Sequence, residues 1–233
     1  MILLFILYVV FFNTLNADIN ITTTNNQTTM IELFSSEGCS SCPRAEKWMN
    51  ELVTNPNLWS ELIPLVYHVD YWDNLGWKDR FAKYEYSYKQ REYRKRGHSK
   101  GVYTPGFYIN AQEWRGWFKF EMLNHDVKEA SKLHLEVHNN KVSVNYKSPL
   151  KNYELHMALL GFGLRTKVPK GENKGKTLEH DFVVLEEKKV TLSKVLSHHT
   201  LLTTDVKAKR YALVVWTSDV NSMKVLQSTG GWL

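Results

Sequence analysis

The chain has 233 residues, 43% of them hydrophobic, which is enough for one large domain or two small ones with sizeable cores and excludes a disordered chain. Lys and Arg exceed Asp and Glu by 30 to 24, a formal +6, but the signs are interspersed along the length, which argues against a dedicated nucleic-acid binder. Eight Trp, 12 Tyr and 10 Phe are a load that belongs mostly in a core or a cleft.

Ile2 to Phe12 is an unbroken apolar run followed by Asn13-Thr14-Leu15-Asn16-Ala17 and then a polar stretch. It is too short for a membrane span of about 20 residues but fits the apolar segment of a secretory signal. Residues 1–17 are therefore expected to be a signal peptide, and the protein secreted or periplasmic; an uncleaved anchor and a buried strand are the alternatives. Residues 18–29 are Asn- and Thr-rich without hydrophobic period and are expected to be a flexible leader. Asn20-Ile21-Thr22 and Asn26-Gln27-Thr28 match the glycosylation acceptor pattern.

Met30 to Phe34 predicts a buried strand and Ser35 to Gly38 the turn after it. From Pro43 onward, Ala45, Trp48, Met49, Leu52 and Val53 fall on one helical face, with Pro43 suited to the first turn. Ile63 to Tyr71 predicts a second strand, Asp73 to Gly76 a turn, and Lys78 to Arg96 a helix with Phe81, Tyr84 and Tyr88 on one face, ending at Gly97. Its basic tail, from Lys89 through Arg96 to Lys100, is a solvated helix end or a docking surface for an acidic partner or anionic membrane. Tyr103 to Ile109 predicts a turn feeding a strand, Asn110 to Glu113 a hairpin turn, Trp114 to Trp117 its returning strand, and Phe118 to Leu133 a closing helix. That order is α/β with a mixed sheet.

Beyond Leu133 the pattern becomes period two. Leu133, Leu135 and Val137 alternate with polar residues, Asn139-Asn140 is a hairpin turn, and Val142, Val144 and Tyr146 alternate again. Similar runs at Tyr153 to Leu164, Thr177 to Leu185, Lys209 to Trp216 and Met223 to Gln227 predict an antiparallel, sandwich-like β domain. The expected boundary lies near residue 132, separating an α/β domain over 30–132 from an all-β domain over 133–233.

The chemistry of the chain centres on Cys39-Ser40-Ser41-Cys42, its only two cysteines, at the mouth of the first helix. Unpaired N–H groups and the helix dipole there favour a thiolate. Cys39 is then the nucleophile of thiol–disulfide exchange and Cys42 the resolving thiol, with a nucleophile pKa anywhere from about 3.5 to 7.5. The competing readings are a permanent disulfide, a poor staple across so short a loop, and metal binding. Two thiolates suit Cu(I), but a structural zinc site wants four ligands and there is no second cysteine pair. No metal and no cofactor is called for. His68 and Asp70, on one face of the predicted strand, and Asp73 beyond it are candidate proton shuttles or supports for the Trp72 and Trp77 loop. Glu32 is a candidate acceptor for the Cys42 proton, or a solvent-facing residue. His198-His199 reads as a loop pair. Gly171 to Gly175, among Lys167, Lys170 and Lys176, reads as a solvated hairpin loop, with anion binding or partner contact as the alternative.

The segments from Glu32 to Pro43 and from His68 to Asp79, with Tyr103-Thr104-Pro105 and Gly171-Glu172-Asn173-Lys174-Gly175, resemble the secreted thioredoxin-like family known as domain of unknown function 1223. The resemblance spans nearly all of the chain after the apolar run. It implies an α/β thioredoxin-like domain, a mixed sheet flanked by helices, with the all-β sandwich-like domain attached. It also implies a cis peptide at Pro105 lying against the cysteines, with Thr104 and Pro105 holding the backbone of an extended substrate. Thioredoxins proper carry Trp before the first cysteine and Gly-Pro between the two; Gly38 and Ser40-Ser41 depart from that.

The expected function is an exported thiol–disulfide oxidoreductase acting on protein or peptide thiols and disulfides, turned over by a redox partner protein. Nucleic acid is not an expected partner, and a membrane is one only through an uncleaved signal. The alternative is a non-catalytic binding module whose aromatic loop, Tyr71 to Trp77, holds a peptide or glycan.

Overall fold

A computed structural model describes residues 18–123 and 128–233. The expected signal peptide, residues 1–17, lies outside the described residues. The first strand, β1 (Ile19–Thr22), occupies the stretch expected to be a leader, because Ile19 and Ile21 give it an apolar face to bury. β2 (Thr29–Ser35) is buried throughout. Helix α1 (Cys42–Glu51) starts with Pro43 in its first turn and buries Ala45 and Met49, with Trp48 against Phe107 and Trp114. β3 (Leu62–His68) runs parallel to β2. Helix α2 (Tyr84–Lys95) starts six residues later than its predicted Lys78 and closes at Gly97, whose φ of +78° suits a residue without a side chain. β4 (Gly106–Ile109) pairs antiparallel with β2 and turns at Asn110-Ala111 into β5 (Gln112–Glu113).

The second half supplies β6 (Leu133–His138), β7 (Lys141–Tyr146), β8 (Tyr153–Phe162), β9 (Leu164–Lys167), β10 (Thr177–His180), β11 (Val183–Leu192), β12 (Leu196–Thr200), β13 (Arg210–Asp219) and β14 (Val225–Trp232). Asn139 and Asn140, with φ of +48° and +61°, make the two-residue turn between β6 and β7, a conformation asparagine tolerates.

The expected α/β thioredoxin-like domain followed by a separate sandwich-like domain is not what forms. The molecule is mostly β, with only two α-helices among the described residues. Its main sheet has eight strands in the order β14-β13-β8-β11-β3-β2-β4-β5, so strands from both sides of residue 132 share it. The join is the parallel pairing of β11 with β3 at Val183 and Val66, where the Val66 N–H donates to Phe182 O at 2.9 Å. The predicted helix from Phe118 to Leu133 is also absent among the described residues. A 3-10 turn at Gly116–Lys119 ends at Phe120 with φ of +57°, and Trp117 packs on Phe107 instead of continuing a helix. Trp114 to Trp117 forms no strand, because Trp114 folds back on Trp48 and Phe107.

A second sheet, β1-β6-β7-β12, covers one face of the large one. Leu133, Leu135, Val137, Val142 and Val144 pack there against Leu155, Met157, Leu213 and Val215. The other face of β8 and β13, through Ala158, Leu160, Val214 and Trp216, joins the core under α1 and α2. Strands covered on both faces read as apolar runs, as Tyr153–Phe162 does. β9 and β10 form a separate ribbon that sets His180 against Glu46 and Glu179 against Asn50 of α1, and brings the loop between the two strands to the turn that precedes α1.

Candidate functional site

The chain leaves β2 at Ser35, turns through Ser36-Glu37-Gly38, and enters α1 at Cys42, placing both cysteines where the helix N–H groups are unpaired. Gly38 suits this close approach: a Cβ would stand 3.0 Å from Trp72 Cβ, tighter than an ordinary contact. The Cys39 N–H donates to Ser36 O at 3.1 Å, and the Cys42 N–H to Cys39 O at 3.3 Å. Ser41, at the helix cap, does not cap with its hydroxyl; that oxygen lies 3.3 Å from Cys39 Sγ.

Both cysteines are free thiols and both are buried, Cys39 at 1% exposure. They differ in ionisation. A hydrogen bond from the Cys42 thiol, with further bonds from the Ser41 and Thr104 hydroxyls, outweighs burial and lowers the Cys39 pKa to about 6. Burial, added to by the neighbouring Cys39 sulfur, pushes the Cys42 thiol well up. Thr104 is held in turn by Trp72, whose indole N–H donates to Oγ1 at 2.8 Å. The Thr104-Pro105 peptide is cis. Beside the pair runs a groove of about 550 Å³ lined by Ser40, Ser41, Arg44, Thr104, Pro105 and Trp117.

Of the residues singled out in the sequence, Cys39, Cys42, Thr104 and Pro105 come together. Glu32, His68, Asp70 and Asp73 do not join them. Glu32 is fully buried on the α2 side, accepting from Tyr93 OH at 2.9 Å and paired with Lys89 Nζ at 3.0 Å. Asp70 opens a 3-10 turn and bonds the Ser87 hydroxyl. Asp73 accepts from the Asp79 N–H at 3.1 Å. His68, the last residue of β3, turns beneath α1. The aromatic loop is structural in part: Tyr71 bonds Gln90 at 3.2 Å and Trp77 bonds Glu37 at 2.7 Å. His198 and His199 lie in β12, not in a loop.

The loop 171–175 is the largely exposed hairpin loop between β9 and β10, with one buried residue that reaches the cysteine turn. Asn173 is fully buried and donates from Nδ2 to Glu37 O at 2.8 Å and Cys39 O at 2.9 Å. The Ser40 N–H donates to Glu172 Oε2 at 2.9 Å. The cysteine turn is thus held from the second half of the chain. The short polar motif between two glycines was the one sequence signal that pointed to these residues.

A second group of buried polar residues lies behind α1. His68 Nδ1 is 2.6 Å from Asp79 Oδ2, and its Nε2 is 3.9 Å from Glu46 Oε2. Glu46 is hydrogen-bonded through Oε1 to the Ser35 hydroxyl and through Oε2 to His180 Nδ1. His180 Nε2 lies 3.3 Å from Glu37 Oε1 without hydrogen-bond alignment. Burial opposes charge at each position, but the opposite partners win. His180 is raised to about 10 by Glu46 and Glu37, His68 is raised by Asp79 and Glu46, and Glu46 is lowered by both imidazoles. Sequence reasoning did not find Glu37, Glu46, Asp79 or His180.

The sequence profile of the family described as protein of unknown function (DUF1223) matches residues 30–218. The fold is similar to the crystal structure of a protein from Agrobacterium tumefaciens, with TM-score 0.62 and 21% identity over 89% of this chain and 94% of that one. It is also similar to HBP35 of Porphyromonas gingivalis, with TM-score 0.50 and 10% identity over 91% and 76%. At such identities the likeness extends to the fold alone. No curated protein matches the chain.

Proposed function

We propose, for a chain that belongs to the DUF1223 family of proteins of unknown function, an exported thiol–disulfide oxidoreductase acting through Cys39 and Cys42. The observation that supports it is the asymmetry of the pair: Cys39 is lowered to about 6 by hydrogen bonds from Cys42, Ser41 and Thr104, while Cys42 is pushed well up. Export rests on the apolar run from Ile2 to Phe12. In the reducing direction the Cys39 thiolate attacks one sulfur of a substrate disulfide and releases the other as a thiolate. Cys42 then gives its proton to the released sulfur and attacks Cys39 Sγ, freeing the second substrate sulfur. Two electrons have passed from the pair to the substrate, and a partner dithiol returns them. Thr104 stabilises the thiolate, and the groove beside Pro105 would receive the substrate chain.

The covering of Cys39 favours a second reading, in which the pair is an inert element of a binding module. Insulin reduction and refolding of scrambled ribonuclease separate the two. Turnover abolished by Cys39→Ala supports the redox enzyme; no turnover, or turnover indifferent to that substitution, leaves the binding module.

A further inference from the structure

We infer that Glu46, His68 and His180 hold a divalent transition-metal ion of the zinc class in a buried site behind α1. One ligand atom from each of the three lies within 4.8 Å of the others. A zinc ion with bonds of about 2.0–2.1 Å needs its ligands roughly 3.3 Å apart, so the site closes around a metal with sub-ångström to ångström shifts. His68 Nε2 and Glu46 Oε2, now 3.9 Å apart, approach, while the hydrogen-bonded Glu46 and His180 part to admit the ion.

Three features separate this cluster from an ordinary buried ion pair. His68 Nε2 is fully buried, faces Glu46 and has no hydrogen-bond partner. A buried polar group left so is destabilising unless something occupies the position it faces. Two of the three outer atoms are also already hydrogen-bonded, and the third faces a carboxylate without hydrogen-bond alignment. Asp79 takes His68 Nδ1 at 2.6 Å, Glu37 faces His180 Nε2 at 3.3 Å, and the Ser35 hydroxyl takes Glu46 Oε1. Carboxylates behind both imidazoles are the arrangement that orients metal-bound histidine and raises its donor strength. Finally, three buried carboxylates, Glu37, Glu46 and Asp79, converge on two imidazoles, so the cage attracts a cation.

Two imidazoles and one carboxylate suit zinc and its neighbours and disfavour magnesium or calcium, which take oxygen ligands. The set also leaves a fourth position. A pocket of about 260 Å³ between Pro43, Lys47, Thr177 and Glu179 reaches both Glu46 and His180, giving an entry path and room for a water ligand. Neither sulfur is in the set, so the site is separate from the cysteine chemistry. The ion would tie α1 and β3 to β10.

The test uses the full chain, stripped of metal by chelator and titrated with zinc chloride by calorimetry, beside a Cys39→Ser/Cys42→Ser variant. The expected result is one equivalent bound by both proteins with a rise in Tm. A cobalt(II) adduct should show visible ligand-field bands without thiolate charge-transfer absorption. His68→Asn or His180→Asn should weaken zinc binding at least 100-fold, and Asp79→Asn about 10–100-fold. Should these variants fail to fold, the cysteine-free protein alone decides. Absence of binding to it at millimolar zinc, or undiminished binding by folded His68→Asn and His180→Asn proteins, overturns the assignment.

Discussion

At the residue scale, the Cys39 sulfur combines two properties that oppose each other in a nucleophile. Its hydrogen bonds from Cys42, Ser41 and Thr104 make it a thiolate near neutral pH, while its surroundings leave it 1% exposed. Alkylation by iodoacetamide should therefore follow a thiolate titration with a midpoint near 6, with an absolute rate well below that of an open thiolate at the same pH. Ser41→Ala removes a bond to the charged form and should move the midpoint up; Cys42→Ala should move it up further, because the Cys42 thiol is the largest contributor. Mass-spectrometric labelling at successive pH values reads both. Asn173 is the counterpart in stability. Its amide satisfies two carbonyls in the cysteine turn, and Asn173→Ala leaves both buried without that donor. The expected loss is about 2–4 kcal/mol in urea denaturation, together with faster alkylation of Cys39 as the turn loosens.

At the element scale, α2 is held to the sheet by a charged network beside its buried Tyr86 and Tyr93. Lys89 Nζ lies 3.0 Å from Glu32 on β2, 3.6 Å from Glu187 on β11 and 2.7 Å from Tyr67 OH on β3. Burial raises the Glu187 carboxyl, but Lys89 and His156 outweigh it and bring it from 4.5 down to about 2. A carboxyl depressed in the folded state stabilises fully above its unfolded pKa and loses that contribution as pH falls through the folded one. Between about pH 4.5 and 2 the protein should lose on the order of 3 kcal/mol, measurable as a falling denaturation midpoint, and Lys89→Met should flatten that slope. This network also shows where sequence patterns stop. The helix at Lys78 to Arg96 was legible from Phe81, Tyr84 and Tyr88, yet Tyr84 and Tyr88 are exposed while Lys89 and Gln90 are buried. A charged residue reads as surface until its partners are known, and those of Lys89 come from three strands. The cysteine pair, Pro43 and the Asn139-Asn140 turn were legible because each is fixed by neighbours in sequence. The contacts of Asn173 with the cysteine turn and of His180 with Glu46 were not, because they are made to residues 134 or more positions away.

At the scale of the whole molecule, the same long-range pairing that joins the halves makes the first depend on the second. A fragment ending near residue 132 would expose the edge of β3 that meets β11. It would also lose Glu187 opposite Lys89, Asn173 and Glu172 on the cysteine turn, and His180 beside Glu46. Glu46 and Lys89 would be left with incomplete partners in a thinned core, a combination whose cost is several kcal/mol against a total stability of about 5–15. The fragment 18–132 should therefore show no cooperative unfolding transition and no native near-ultraviolet dichroism, whereas mixing it with 133–233 should restore both in proportion to the complex formed. A sharp two-state transition from 18–132 alone, with Cys39 titrating as in the full chain, would show that the eight-stranded sheet is an association of two self-sufficient units rather than one cooperative structure.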